Sequence, residues 1–195
     1  MRSITRQEIY RKTKVGTVAG LVGGFALFVS FFGIDSQLRA EPGTFYMMIG
    51  LAVGLHGMAA TVFGLIAHML TAATIGAVFC VCSLFHPMLN LRTMWKGIFA
   101  GGITGLEVYA IFFMPITLFL IIPTINTSNS MMTSDEIGIV TAIQSHITMI
   151  MWGALVLHIL YGAIMGLFSG MIIHEEYKIP KKTAFDLESE SMPAT

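Results

Sequence analysis

The chain has 195 residues, no formal net charge, 55% hydrophobic and only 11% charged residues, and a mean hydropathy of +0.77. A soluble domain of this length carries about a quarter of its residues charged, so a soluble globule is excluded, and the balanced charge leaves no field to draw nucleic acid. What remains is an all-α integral membrane protein whose first partner is the lipid bilayer.

Residues 1–14 set Arg2, Arg6, Arg11, Lys12 and Lys14 against Glu8 alone and read as a basic cytoplasmic N-terminus. An uncharged run, 15–34, follows. At about 1.5 Å per residue it matches a hydrocarbon core of about 30 Å. It exceeds the apolar core of a signal peptide, about 7 to 15 residues, and is expected to be a retained first span. Residues 35–44 read as a polar turn containing Pro42 and Gly43, and 45–85 then runs without one Asp, Glu, Lys or Arg. As one helix that segment would measure about 60 Å, twice what a bilayer core needs. It must either tilt steeply with an interfacial extension or break near Gly54, Gly57 or Gly64. Cys80 and Cys82 inside it fall on nearly opposite sides of a helix, which argues against a disulfide.

Residues 87–96, with Arg92 and Lys96, form a connection, and 97–122 is the next span, with Pro115 inside it. A polar loop, 126–136, leads to a second over-long apolar segment, 137–173, and 175–195 turns to Lys, Glu, Ser and Pro, a solvated tail. Ten of the eleven basic residues lie in the N-terminus, the central connection or the tail; Arg39 is the exception. The positive-inside rule therefore puts both termini and the connection in the cytoplasm of a multi-pass cell-membrane protein, plasma or inner. Each long segment then crosses once, giving four principal transmembrane helices.

A glycine pattern occurs twice. Gly16, Gly20 and Gly24 recur 81 residues later as Gly97, Gly101 and Gly105. Glycines four apart line one helix face and let a neighbouring backbone come close. The second halves match at an offset of 90, where His56 meets His146 and His68 meets His158, and His86 and His174 close the two units. The pattern predicts two parallel two-helix repeats, 15–86 and 97–174, related by an axis along the membrane normal. A third ladder, Gly162, Gly166 and Gly170, completes the helix-packing residues.

The stretch His158–Gly166, with Lys96–Gly101 and Phe113-Met114-Pro115 before it, resembles YagU-type bacterial inner-membrane proteins and related small four-span families. The resemblance implies an architecture over the four spans and no chemistry.

Glu107 is the single acid inside a predicted span. It stands ten residues into its helix, near the midplane, where a carboxylate is costly unless it is paired or faces a cavity. Its repeat counterpart is Ala26. It reads as a proton or cation site, an anchor for another subunit, or a structural hydrogen bond to a neighbouring helix. His68 and His158 are predicted at similar depth, and two imidazoles facing each other suit copper or zinc, though zinc normally takes four ligands. The alternative is a histidine bonded to backbone on a neighbouring helix. Fifteen methionines also fit Cu(I), but without a regular ladder they read first as flexible apolar filling. Asn126-Thr127-Ser128 fits a glycosylation sequon. No catalytic motif or cofactor-binding motif stands out.

Three glycine ladders exceed what four spans need among themselves. That surplus, together with the lack of catalytic motifs, predicts a non-catalytic accessory or scaffold subunit, bound to other membrane subunits or to its own copies within a larger complex. Met-rich, His-bearing spans are similar in style to subunits of copper membrane monooxygenases such as archaeal ammonia monooxygenase. The alternatives are a small proton-coupled transporter using Glu107 and a His/Met metal-handling membrane protein using His68 and His158.

Overall fold

The computed structural model describes residues 4–37, 40–85, 91, 93–127 and 133–178, and every regular element among them is helical. Outside the described residues lie His86, Arg92, the loop residues 128–132 with Ser128 of the sequon, and the tail from 179 onward; the His174 side chain is likewise not described. In chain order the helices are α1 (Arg6–Gln37), α2 (Thr44–Leu51), α3 (Gly57–Cys82), α4, α5 (Ser134–Ser145) and α6 (Ile147–Lys178). α4 starts as Met94–Val108 and continues through the π-helical stretches Tyr109–Phe113 and Thr117–Ile121 to Thr127. Four helices, α1, α3, α4 and α6, are long and apolar enough to cross a membrane.

α1 opens on a reciprocal cap. Thr5 Oγ1 accepts the Glu8 N–H at 3.2 Å and the Glu8 carboxylate accepts the Thr5 N–H at 3.1 Å, satisfying two donors that a helix start leaves open. The helix runs on to Gln37, so Asp35 belongs to its last turn and not to a polar turn. Asp35 is buried, and its carboxylate accepts the Gly43 N–H at 2.8 Å. It sits where α2 begins, and a helix N-terminus needs an acceptor.

Both over-long segments break. In the first, Gly54 and Gly57 take positive φ, 82° and 55°, a conformation that glycine adopts without strain. α2 can then fold back along α3. Gly64 is a point of contact, not a break: a Cβ there would collide with the Tyr46 carbonyl, and one at Gly50 would collide with the backbone of Ala60. In the second segment the chain kinks at His146, between α5 and α6. His56 and His146, which the sequence pattern pairs, each stand one residue before a long helix.

The glycine ladders pack within the chain. Gly16 and Gly20 lie against Gly76 and Ala72, joining α1 to α3; Gly97, Gly101 and Gly105 lie against Gly166, Gly162 and His158, joining α4 to α6. In both pairs rising numbers meet falling ones, so each pair is antiparallel. α6 also packs along α1, with Tyr161 against Gly23. Two hydrogen bonds tie α6 to α3: Tyr161 Oη donates to the Ala72 carbonyl at 3.0 Å, and Cys80 Sγ donates to Ser169 Oγ at 3.2 Å. Both links join residues 89 apart, so α3 and α6 run parallel, and α1 and α4 share the opposite direction. Cys80 is buried and Cys82 exposed, as their spacing requires.

The helices therefore stand in the order α3, α1, α6, α4, with α1 and α6 inside. A two-fold axis would pack α3 on α4 just as α1 packs on α6. Instead α3 and α4 scarcely meet, a departure from the disposition that the duplicated pattern predicts. The expected surplus of packing surface is absent too, because Gly162 and Gly166 are spent on Gly101 and Gly97, and Gly170 lies near Met94 and Thr93.

At one end of the bundle Glu136 clasps two elements. With Thr133 it forms a capping box on α5, its carboxylate accepting the Thr133 N–H at 2.9 Å, and it reaches across to the Gly57 N–H at 3.1 Å and His56 Nδ1 at 3.4 Å. Burial pushes the Glu136 carboxyl up, but the hydrogen bonds from Thr133, Gly57 and His56 together outweigh it and hold the group below its ordinary value. A carboxyl lowered in the folded state contributes stability that is complete above its unfolded value, about 4.3, and is lost as pH falls through the folded value. The detergent-solubilised chain is thus expected to lose about 1 to 2 kcal/mol through this group on acidification below about pH 4. Glu136→Gln removes that component, so the melting temperatures of variant and parent should converge at low pH. A constant gap between the two melting curves from pH 7 to pH 3 contradicts the assignment.

Candidate functional site

The space between α3 and the C-terminal half of α4 is a cavity of about 600 Å³. α2 and the α5–α6 junction close its end, and its lining is mostly Leu, Ile, Val, Phe and Met. His68 and His158 both line it. The links between α3 and α6 put His158 level with Met69, beside His68 in sequence, so the similar depth expected from the repeat holds.

Each histidine is positioned by a ladder glycine. Gly24 lets α1 approach α3 closely enough for its carbonyl to accept from His68 Nε2 at 3.2 Å. Gly105 brings α4 onto the backbone of His158. His158 Nδ1 bonds the Ala154 carbonyl, one turn earlier in α6, at 2.7 Å. A carbonyl can only accept, so the bonded nitrogen is the donor on each ring, and in the neutral imidazole the other nitrogen is a lone-pair acceptor. Those acceptors are His68 Nδ1 and His158 Nε2. Among the described residues no carboxylate lines the cavity. Aromatic rings fix both imidazoles: Tyr46 stands edge-on to His68 at 5.4 Å between centroids, and Phe113 lies 5.0 Å from His158. Tyr109, 5.8 Å from His158, is held by its hydroxyl donating to the Met151 carbonyl at 3.1 Å.

The shape of the cavity wall comes from Pro115. Proline supplies no N–H to the carbonyl four residues back and crowds it, and the helix widens into π turns on both sides, where Met114 N–H bonds Tyr109 and Ile122 N–H bonds Thr117. Phe112, Thr117 and Ile122, five apart, all line the cavity. In a regular α-helix, at 100° per residue, a step of five would turn each about 140° away from the last. Thr117 is 6% exposed, and its hydroxyl has no partner among the described residues. Pro115 was the signal for this wall, but its consequence for register could not be read from spacing.

Glu107 lies elsewhere. It is exposed on α4 beside exposed Ile103, Leu106 and Ile111, is absent from the cavity lining, and no described side chain bonds it. A structural hydrogen bond to a neighbouring helix of this chain is therefore not what holds it. The two histidines share a cavity, but among the described residues no third His, Cys, Asp or Glu joins them in a group able to hold a metal. Glu136 and Tyr161 were missed as organising residues, since their partners Gly57 and Ala72 lie 79 and 89 residues away; Asp35 was read as part of a polar turn, and spacing did not turn Thr117 toward the cavity. Compared with known protein families, with curated proteins and with solved structures, the chain matches none.

Proposed function

We propose that this protein is a non-catalytic accessory subunit of a larger membrane complex, built from two parallel copies of a two-helix unit that spans the bilayer four times with both termini in the cytoplasm. Duplication is supported by the two ladders, which meet their partners at matching offsets: Gly16 with Gly76 and Gly97 with Gly166, Gly20 with Ala72 and Gly101 with Gly162. The likeness to YagU-type four-span proteins is in keeping with that architecture. A copper membrane monooxygenase is one complex with room for such a subunit.

The observation that carries the reading is Glu107. In a bilayer its side chain faces outward at mid-helix among apolar neighbours. A charged side chain facing hydrocarbon there costs roughly 2.5 to 3.5 kcal/mol on insertion scales. A cationic or hydrogen-bonding group of a neighbouring subunit, seated against α4, removes that cost. Since Glu107 is exposed and no described side chain bonds it, Glu107→Leu should leave the melting temperature of the isolated chain unchanged while stripping co-purifying polypeptides in mild detergent. Native mass spectrometry reads both: a wild-type chain that emerges as a homogeneous monomer overturns the proposal, and so does a Glu107→Leu variant that keeps all its partners. The transporter reading needs Glu107 in a passage between the helices, and the described cavity does not include it.

A further inference from the structure

We propose that the cavity between α3 and the widened half of α4 is a binding site for a lipid-soluble phenol, a molecule with an apolar body and a hydroxyl end that donates its one hydrogen bond to the free ring nitrogen of His68 or of His158. The inference is independent of the subunit reading and of Glu107.

Its volume, about 600 Å³, lies within the range of small-molecule sites, about 300 to 1,000 Å³, and such sites combine apolar walls with a few convergent polar groups. Here the two imidazoles have a definite sense. Both imidazole N–H groups are already used on the carbonyls of Gly24 and Ala154, so each ring offers the cavity an acceptor. Thr71 adds to this side, because its hydroxyl donates to the Ala67 carbonyl at 2.8 Å and keeps only lone pairs free. Thr117 and Tyr46 each bring a hydroxyl with no described partner.

The buried polar atoms left without a partner among the described residues are Asp35 Oδ1 and Tyr46 Oη. His68 and His158 both line the space, and neither His68 Nδ1 nor His158 Nε2 has a partner among the described residues. A ligand that brings only carbonyl oxygens would find no donor on either imidazole. Acyl chains would fill the volume but leave both nitrogens unsatisfied, and an unmade bond in an apolar site is the expensive outcome. A hydroxyl satisfies one of them. An aromatic body is favoured because rings of Tyr46 and Phe113 already flank the two imidazoles, and aromatic faces and edges pack well against one another.

The test uses the full-length chain in nanodiscs with two probes of the same apolar body, 4-octylphenol and its methyl ether 4-octylanisole. The phenol is expected to bind roughly tenfold more tightly, the worth of one well-made hydrogen bond. In the His68→Leu/His158→Leu double variant its affinity should fall to that of the anisole while anisole binding stays unchanged. Imidazole ¹⁵N resonances of the wild-type chain give a readout that does not depend on the variant folding: the non-protonated ring nitrogen of at least one of the two histidines should shift with phenol, and both should stay still with anisole. Equal affinity for both probes means that the cavity takes acyl chains without regard to the histidines, and overturns the proposal. Silent ¹⁵N resonances, or a phenol preference that survives in the double variant, overturn it equally.

Discussion

Gly101→Ile is expected to destabilise the α4–α6 pair by about 3 kcal/mol or more, at or above the upper end of ordinary overpacking. A Cβ at this position would collide with the Gly162 carbonyl, and the obstacle is backbone on both sides. No rotamer change can relieve it, so the helices must separate along the ladder and surrender the close contacts that hold them. Gly20→Ile should act alike on the α1–α3 pair, where the Ala72 carbonyl is in the way. Gly33→Ile is the control, since nothing lies within 4 Å of its Cβ direction. Thermal unfolding in one detergent, followed by aggregation onset, ranks the three. A Gly101→Ile protein that melts with the Gly33→Ile control would remove the basis for close helix packing.

Tyr161→Ala should cost about 3 to 5 kcal/mol and should loosen the contact between the two helix pairs without disturbing either pair internally. Tyr161 is 3% exposed, its ring lies on Gly23 and its hydroxyl bonds the Ala72 carbonyl. One side chain of α6 therefore grips both α1 and α3. Tyr161→Phe keeps the ring and loses the hydrogen bond, so it should cost about 1 kcal/mol, more if the bared carbonyl finds no water. The ratio between the two substitutions separates packing from hydrogen bonding. Equal costs would mean that the hydroxyl carries the contact, and a negligible cost for alanine would mean that the pairs are held together elsewhere.

The counterpart of Tyr161 at the 90-residue offset is Thr71, which lines the cavity and whose hydroxyl bonds the Ala67 carbonyl of its own helix. That difference accompanies the missing contact between α3 and α4. Two helix pairs built on the same ladder thus meet along one side only, and the side left open holds both histidines. Spacing could bring His68 and His158 to one level; it could not show that the space between them would be apolar, closed at one end by α2 and walled by a helix whose register Pro115 had altered.

Read alone, the letters determined the local and periodic features: four long apolar helices, the ladder glycines, the pairing of His68 with His158 and the separation of Cys80 from Cys82. These depend on rise per residue, rotation per residue and hydropathy, all of which are written along the chain. The tertiary structure alone decided where the over-long segments break, that Gly64 is a contact and not a hinge, that Asp35 and Glu136 serve as buried caps, that Glu107 faces outward and that the third ladder is used within the chain. Each of these turns on which surface is left after helices have packed, and a helix with apolar residues all round carries no mark of which face its neighbour will take.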